Sequence, residues 1–407
     1  MPREQEAQES AYAWTRLCAS LALMTISGVG MYGVSVALPV VQAEFGISRS
    51  DASLPYTATM VGFGLGGILM GRLSDRFGVM VPVLIGACAL GLGFVASGAS
   101  TGLWQFVLVQ GLLIGLLGTS AAFAPLVADT SMWFTRRRGI AVAICASGNY
   151  LGGAVWPQIL QYGFDAVGWR ETFTWVGIIC FCTMAPLAFV LRRRPPALQA
   201  AAEVKLQQKT LPVHSNVLLA LLCVAGVSCC VAMSMPQVHI VAYCGDLGFP
   251  AARGAEMLSV MLFAGIVSRL ASGWICDRIG GLRTLLLGSA LQGIALIMFL
   301  PFDSLASLYV VSAMFGLFQG GIVPSYAIII REYFPPAEAG TRVGTVIMCT
   351  LLGMALGGWM TGALFDLTGS YKVAFMNGIG WNLLNLAIAV WLLRKSLTPP
   401  GSRLAAA

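Results

Sequence analysis

The chain has 407 residues, of which 57% are hydrophobic and 10% charged, and its mean hydropathy is +0.81. A soluble globular domain carries about 25% charged residues, so these figures exclude an ordinary water-soluble protein and leave one built into a bilayer. The formal net charge of +7 comes from basic clusters at the ends of apolar stretches, so no nucleic-acid partner is expected from it.

The opening "MPREQEAQES" is polar, and the apolar run that follows is longer than a signal peptide and lacks a small-residue cleavage site, so it is expected to stay in the protein. From there, apolar runs of the length needed to cross ~30 Å of hydrocarbon recur to the end of the chain. Their positions predict an all-α membrane protein with twelve transmembrane helices. The predicted spans are 14–41, 53–71, 80–100, 103–129, 139–163, 170–191, 216–243, 254–275, 283–301, 305–330, 341–365 and 371–393. The one long polar connection is 192–215, whose prolines and charges read as a linker. It divides the chain into an N-terminal six-helix half, 1–191, and a C-terminal six-helix half, 216–407.

Orientation follows from the basic residues. With both termini cytoplasmic, 19 of the 24 Lys and Arg fall on the inner side. Arg49, Arg170, Arg253 and Lys372 fall in outer loops, and Arg269 falls inside a span. A multi-pass protein of the bacterial inner (plasma) membrane, working as a monomer, is the expectation. Of the eleven cysteines ten lie in apolar spans, where they act as small hydrophobes, and no pair has metal-ligand spacing, so neither a metal nor a cofactor is expected.

Four landmarks return at an offset of about half the length. "GRLSDRFG" at 71–78 returns as "GWICDRIG" at 273–280, Trp133 and Phe134 as Tyr333 and Phe334, "YGFDAVGWR" at 162–170 as "ALFDLTGSY" at 363–371, and "EFGIS" at 44–48 as "DLGFP" at 246–250. Glycine clusters at 62–71, 111–118, 148–153 and 353–358 predict closely approaching helices.

The duplicated halves and the "GRLSDRFG" signature resemble the major facilitator superfamily over essentially the whole chain. The resemblance implies two six-helix pseudo-repeats with the substrate site between them near mid-membrane. It also implies gating roles for Asp75, Arg76, Asp277 and Arg278. The first copy of the signature has Val79 and Met80 where the superfamily places a basic pair, and the second keeps only Arg283.

Arg269 lies eight residues before Asp277, which puts it ~12 Å from that helix end at 1.5 Å per residue. Its side chain tilts toward the helix N-terminus and so toward mid-membrane, and its neighbours Gly265, Ser272 and Gly273 are small. No acid in the apolar core stands ready to neutralise it, and a planar fork of donors matches a carboxylate. A ligand anion is therefore one expectation; a structural arginine bonded to backbone carbonyls is the other. The context "SRLASGWICDRIGG" is similar to the oxalate/formate antiporter and monocarboxylate transporter branch, where an arginine of the eighth helix holds the substrate carboxylate. Helix eleven here has no lysine, helix one has none, and Gly265 stands where the animal monocarboxylate carriers have an acid.

Within that resemblance His239 matches a histidine of bacterial members, and Tyr32 matches a cavity tyrosine of the oxalate carrier. Phe123, Asn149, Tyr150, Gln319 and Tyr326 complete the expected lining, although buried tyrosines and amides also serve as plain interhelical contacts. The implied function is secondary active transport of a small organic anion, a monocarboxylate, by proton symport or anion exchange. A drug/proton antiporter of the same superfamily is the alternative. It is weakened because "SGNYLGGAVWP" lacks a Gly-Pro pair and no acid lies at depth to carry protons or cationic drugs. No HExxH, GxSxG or paired-acid constellation is present, so an intramembrane enzyme is not expected.

Overall fold

The computed structural model describes residues 10–134, 137–193 and 211–397. The expected linker at 192–215 lies for the most part outside the described residues, as do Arg136 and Arg194. Twelve helices among them are long and apolar enough to cross a membrane. They are α1 (Ala11–Phe45), α2 (Arg49–Phe77), α3 (Met80–Gly98), α4 (Leu103–Trp133), α5 (Gly139–Val167), α6 (Trp169–Val190), α7 (Ser215–Asp246), α8 (Ala251–Ile279), α9 (Gly281–Met298), α10 (Leu305–Tyr333), α11 (Gly340–Thr368) and α12 (Tyr371–Leu397). Helices solve the backbone problem in hydrocarbon, since every interior N–H and C=O is paired within its own segment.

The turns carry the repeat as clearly as the sequence does. Among the described residues six glycines have positive φ: Gly46, Gly78, Gly168, Gly248, Gly280 and Gly369. They form three pairs, Gly46 with Gly248, Gly78 with Gly280, and Gly168 with Gly369, each at the offset of the sequence landmarks. Gly78 and Gly280 share φ +86°, with ψ 161° and 163°. A side chain is strained in that conformation, so the duplicated turn keeps a glycine in both copies.

Close approach explains the clustered glycines. A β-carbon on Gly62 would lie 2.2 Å from the carbonyl oxygen of Gly111, and one on Gly66 2.1 Å from that of Leu116, so α2 and α4 touch backbone to backbone. Here α4 is wound as a π-helix over Gln110–Thr119, a widened turn that a neighbour of small residues accommodates. Gly152 stands on Thr25 of α1, and Gly353 and Gly357 stand on Val227 and Val231 of α7. The outward faces are apolar: Leu92, Trp104, Phe263 and Leu383 are all more than half exposed, as a lipid-facing surface requires.

The two six-helix sets meet along α2 with α11 and α5 with α8. On the first seam Gly362 lies against Arg49 and Ser50, Tyr56 against Gly358, the Thr57 hydroxyl donates to the Ala355 carbonyl at 3.0 Å, and Gly64 lies against Met348. On the second, Gly153 faces Leu262 and Gly265 faces Tyr150.

Inside the first six helices is an ion pair that the sequence did not announce. Arg16, counted from the sequence as an inner-side charge, is 2% exposed. Its Nε and Nη2 donate to the two oxygens of Asp129 at 2.7 and 2.8 Å, and its guanidinium lies 4.9 Å from the Trp133 ring centroid. Tyr12, which accepts from Arg16 Nη1, donates to the Val190 carbonyl at 2.6 Å, so α1, α4 and α6 are tied at one level. Removing one partner leaves a buried charge uncompensated, at a cost of about 3–5 kcal/mol. Asp129→Ala is therefore expected to lower the melting temperature of the detergent-solubilised protein markedly. Arg16→Met combined with Asp129→Leu recovers most of the loss in the same thermal assay.

Candidate functional site

Arg269 sits on α8 where that helix crosses α5. Its Nη1 donates to the Ala146 carbonyl at 3.1 Å, and its guanidinium carbon lies 4.3 Å from the Tyr150 ring centroid. Both contacts belong to the other six-helix set. The Nε is buried and has no hydrogen-bond partner, and no carboxylate pairs with the side chain among the described residues. A guanidinium thus held by one carbonyl and one aromatic face keeps most of its donors for something else.

Tyr32 and Tyr150 share this neighbourhood. A β-carbon on Gly153 would lie 2.6 Å from the Tyr32 ring, one turn along α5 from Tyr150, and Tyr32 is within electrostatic reach of both Tyr150 and Arg269. Asn149 is adjacent to Tyr150 and its amide points at the Met31 sulphur, 3.6 Å away, next to Tyr32 on α1. Four of the eight expected lining residues therefore gather where α1, α5 and α8 meet.

Gln319 approaches from α10. Its neighbour Gly320 stands against the Gly265 carbonyl and Ser268, so α10 meets α8 one turn from Arg269. Gln319 is 1% exposed, yet neither its amide nitrogen nor its amide oxygen has a partner among the described residues. A buried, unpaired carboxamide costs about 1–3 kcal/mol, which a ligand can offset.

The other three expected lining residues make contacts other than with Arg269. The Tyr326 hydroxyl donates to Asn385 Oδ1 at 3.2 Å, and Asn385 donates to the Ser289 hydroxyl at 2.7 Å, a network internal to the last six helices. Phe123 packs edge-to-face on Phe63, with centroids 5.9 Å apart. His239 is 1% exposed and its contacts lie with a different group, at the end of the bundle that carries Arg49.

That group centres on Arg49, read from the sequence as an outer-loop charge but here the first residue of α2 and 7% exposed. The backbone N–H groups of Arg49 and Ser50 donate to the two oxygens of Asp366 on α11, at 2.8 and 2.7 Å. Arg49 Nη1 donates to the Tyr371 hydroxyl at 2.7 Å and lies 3.2 Å from Asp246. The guanidinium also stacks 4.7 Å from the Phe365 ring centroid. His239 completes the group, with Nε2 2.8 Å from the Gly358 carbonyl and 3.4 Å from Ser53 Oγ, and Nδ1 3.2 Å from Tyr371 Oη.

Sequence reasoning passed over Arg49, Ser53 and Tyr56. The signal was present: at spacings of four, seven and eight residues, Arg49, Ser53, Tyr56 and Thr57 line one face of α2, and all four contact the last six helices or residues on them. Tyr56 lies between the two groups, over Gly358 and within electrostatic reach of Tyr32.

The signature residues lie at the opposite end. Asp75, Arg76, Asp277 and Arg278 are exposed. Arg76 and Arg278 stack on Phe77 and Trp274 of their own helices, and none of the four forms an ion pair among the described residues.

The family model described as Major Facilitator Superfamily matches residues 20–305 and 246–406. The chain belongs to that superfamily. It is a multi-pass integral membrane protein and a secondary transporter of a small molecule, not an enzyme. Among curated proteins it is 27% identical over 312 residues to monocarboxylate transporter 13 of Bos taurus, covering 75% of this chain and 71% of the relative. It is 24% identical over 336 residues to the MFS-type transporter pynF of Aspergillus niger, covering 82% and 77%. Among solved structures, a variant of the nucleoside transporter NupG superposes with a TM-score of 0.72 at 12% identity, covering 94% of this chain and 99% of that one. At that identity the likeness shows the fold.

Gln319→Met removes the unpaired amide without changing the bulk of the side chain. The ligand-free superfamily transporter carrying it is expected to melt at the same or a higher temperature, with binding of its substrate weakened about tenfold or more. Differential scanning fluorimetry with and without substrate reads both effects.

Proposed function

We propose that this transporter carries a small monocarboxylate, held by Arg269 at the seam between α5 and α8. One observation supports it above the others: an arginine deep in an apolar helix, bonded across the seam to one carbonyl and to no carboxylate among the described residues. A charge at that depth costs about 2.5–3.5 kcal/mol in hydrocarbon, and an anionic ligand supplies the missing counter-charge. One fixed cation suits one carboxylate, which disfavours dicarboxylates. Tyr32, Asn149, Tyr150 and Gln319 supply hydroxyls, amides and aromatic faces for the remainder of the substrate. The monocarboxylate transporter among the relatives agrees with this chemistry.

In this reading the chain works by alternating access, with residues 1–191 and 216–407 as the two moving bodies and both termini cytoplasmic. The Arg49 end is then the outer end. It is closed by the α2–α11 contacts, while Asp75 and Asp277 stand exposed at the inner end. Those two aspartates, with Arg76 and Arg278, take up their gating contacts when the inner end closes. Coupling is by proton symport or by exchange of one anion for another.

The test is uptake into proteoliposomes across a panel of labelled acids and cations, together with ligand-induced thermal stabilisation. Wild type is expected to take up a monocarboxylate and to be stabilised by it. Arg269→Lys keeps the charge but loses the planar fork, so affinity is expected to fall by tenfold or more. Arg269→Leu is expected to fold as well as wild type or better and to lose all stabilisation by carboxylate. Transport of cationic drugs with no organic anion moved, or full carboxylate stabilisation of Arg269→Leu, would sink the proposal.

A further inference from the structure

We propose that His239 is a proton-binding site of this carrier and that its protonation opens the gate formed by Arg49, Asp246, Asp366 and Tyr371. The proposal takes the outer and inner ends from the reading above but not the identity of the substrate. Its starting point is the order of donors. A carbonyl oxygen only accepts, so the 2.8 Å contact with Gly358 fixes the proton on His239 Nε2. Ser53 donates its own hydroxyl hydrogen to the Arg49 carbonyl at 2.8 Å, so toward His239 it too can only accept. His239 Nδ1 is then the acceptor, and the Tyr371 hydroxyl is its donor. Tyr371 in turn accepts from Arg49 Nη1 at 2.7 Å. The chain from Arg49 through Tyr371 to His239 to Gly358 runs in one direction and is satisfied only with a neutral imidazole.

A second proton on Nδ1 breaks this order. Two donors, Arg49 Nη1 and His239 Nδ1, would then face the Tyr371 oxygen, and the hydroxyl hydrogen would lose its acceptor. An imidazolium would also sit beside the Arg49 guanidinium in a buried place. The charged and titratable groups that bear on His239 are Arg49 of α2, Asp366 of α11, Tyr371 of α12 and, beyond Arg49, Asp246 at the end of α7. Both carboxylates are already committed to Arg49 or to the α2 N-terminus. Relief comes from parting α2 from α11 and α12, which hydrates His239 and frees Asp366.

The repeat gives an independent reason to see a gate here. In the first six helices Glu44 accepts from Arg170 Nε at 2.9 Å and from Trp169, so the start of α6 is locked to the end of α1 within its own set. The corresponding positions in the last six are Asp246 and Tyr371. Tyrosine replaces the cation there, and Asp246 takes its cation from Arg49 across the seam. Likewise Asp165 bonds to Gln161 of its own helix at 2.9 Å, whereas its counterpart Asp366 caps α2 of the other set. What is an internal lock in one copy has become a joint between copies in the other, with a histidine at its base.

Hydrogen–deuterium exchange of the full chain in detergent, without substrate, tests this between pH 5 and pH 8, where histidine titrates. Rates are corrected for the intrinsic pH dependence of exchange, and segments 49–60 and 355–368 are read against the rest of the protein. In wild type, corrected exchange in these two segments is expected to rise about tenfold from pH 8 to pH 5 through a single inflection. His239→Gln, with His239→Asn as a second variant should the first misfold, is expected to show no inflection. Arg49→Gln is expected to exchange fast at every pH. A wild type without the inflection, a histidine variant that keeps it, or an Arg49→Gln as protected as wild type each overturns the proposal. Carboxylate binding through Arg269, measured at fixed pH, can stand or fall independently of these outcomes.

Discussion

A guanidinium does not lose its proton, so each arginine drawn in between these helices needs a counter-charge or a carbonyl, and the arrangement of this bundle follows from how three of them are satisfied. Arg16 finds a bidentate carboxylate within its own six helices and fastens α1 to α4 and α6. Arg49 finds its carboxylates in the other six and fastens α2 to α7, α11 and α12. Arg269 also reaches across, but to a carbonyl and a ring. The first contact is internal and can persist through a conformational cycle. The second and third must be made and broken if the two sets move.

This ordering explains why the seams differ. Along α2 and α11 the contacts run from the helix N-terminus at Arg49 to Gly64, a zipper of small residues, Tyr56 and charged ends. Along α5 and α8 the contacts are apolar and aromatic, Gly153 on Leu262 and Gly265 on Tyr150, with Arg269 beside them. On the proposed function, a carboxylate ligand arriving at Arg269 would compete with one carbonyl, whereas opening the other end would displace a carboxylate from a helix N-terminus, where the dipole favours it. In that reading ligand recognition and gate closure fall on different seams, and Tyr32, Tyr56 and Gly358, whose carbonyl holds His239, lie between them.

Broken symmetry does the rest. The repeat supplies matching turns, seen in the paired glycines of positive φ, but the buried charges are not repeated. At the offset of the nearest landmarks Leu218 stands opposite Arg16, and the tyrosine at 371 stands where the first copy has Arg170. Two copies of one scaffold can rock about a shared axis; only unlike side chains at the seam can distinguish one end from the other and bind an asymmetric substrate.

The sequence by itself determined the number of spans, the duplication and the superfamily, because hydrophobic length, turn glycines and repeated motifs are local or periodic signals. It also singled out Arg269, since a lone charge in an apolar run is visible without any partner. Only the tertiary structure decided which residues share a site. His239 and Arg269 read alike as cavity residues, yet they contact different seams, and Tyr326 turned into a network with Asn385 and Ser289. Arg49 read as a loop charge because its acids, Asp246 and Asp366, are 197 and 317 residues away. Partners that far apart in the chain meet only through the crossing of α2 with α11 and the packing of α7 beside it, and no periodicity in one helix encodes the angle at which another crosses it.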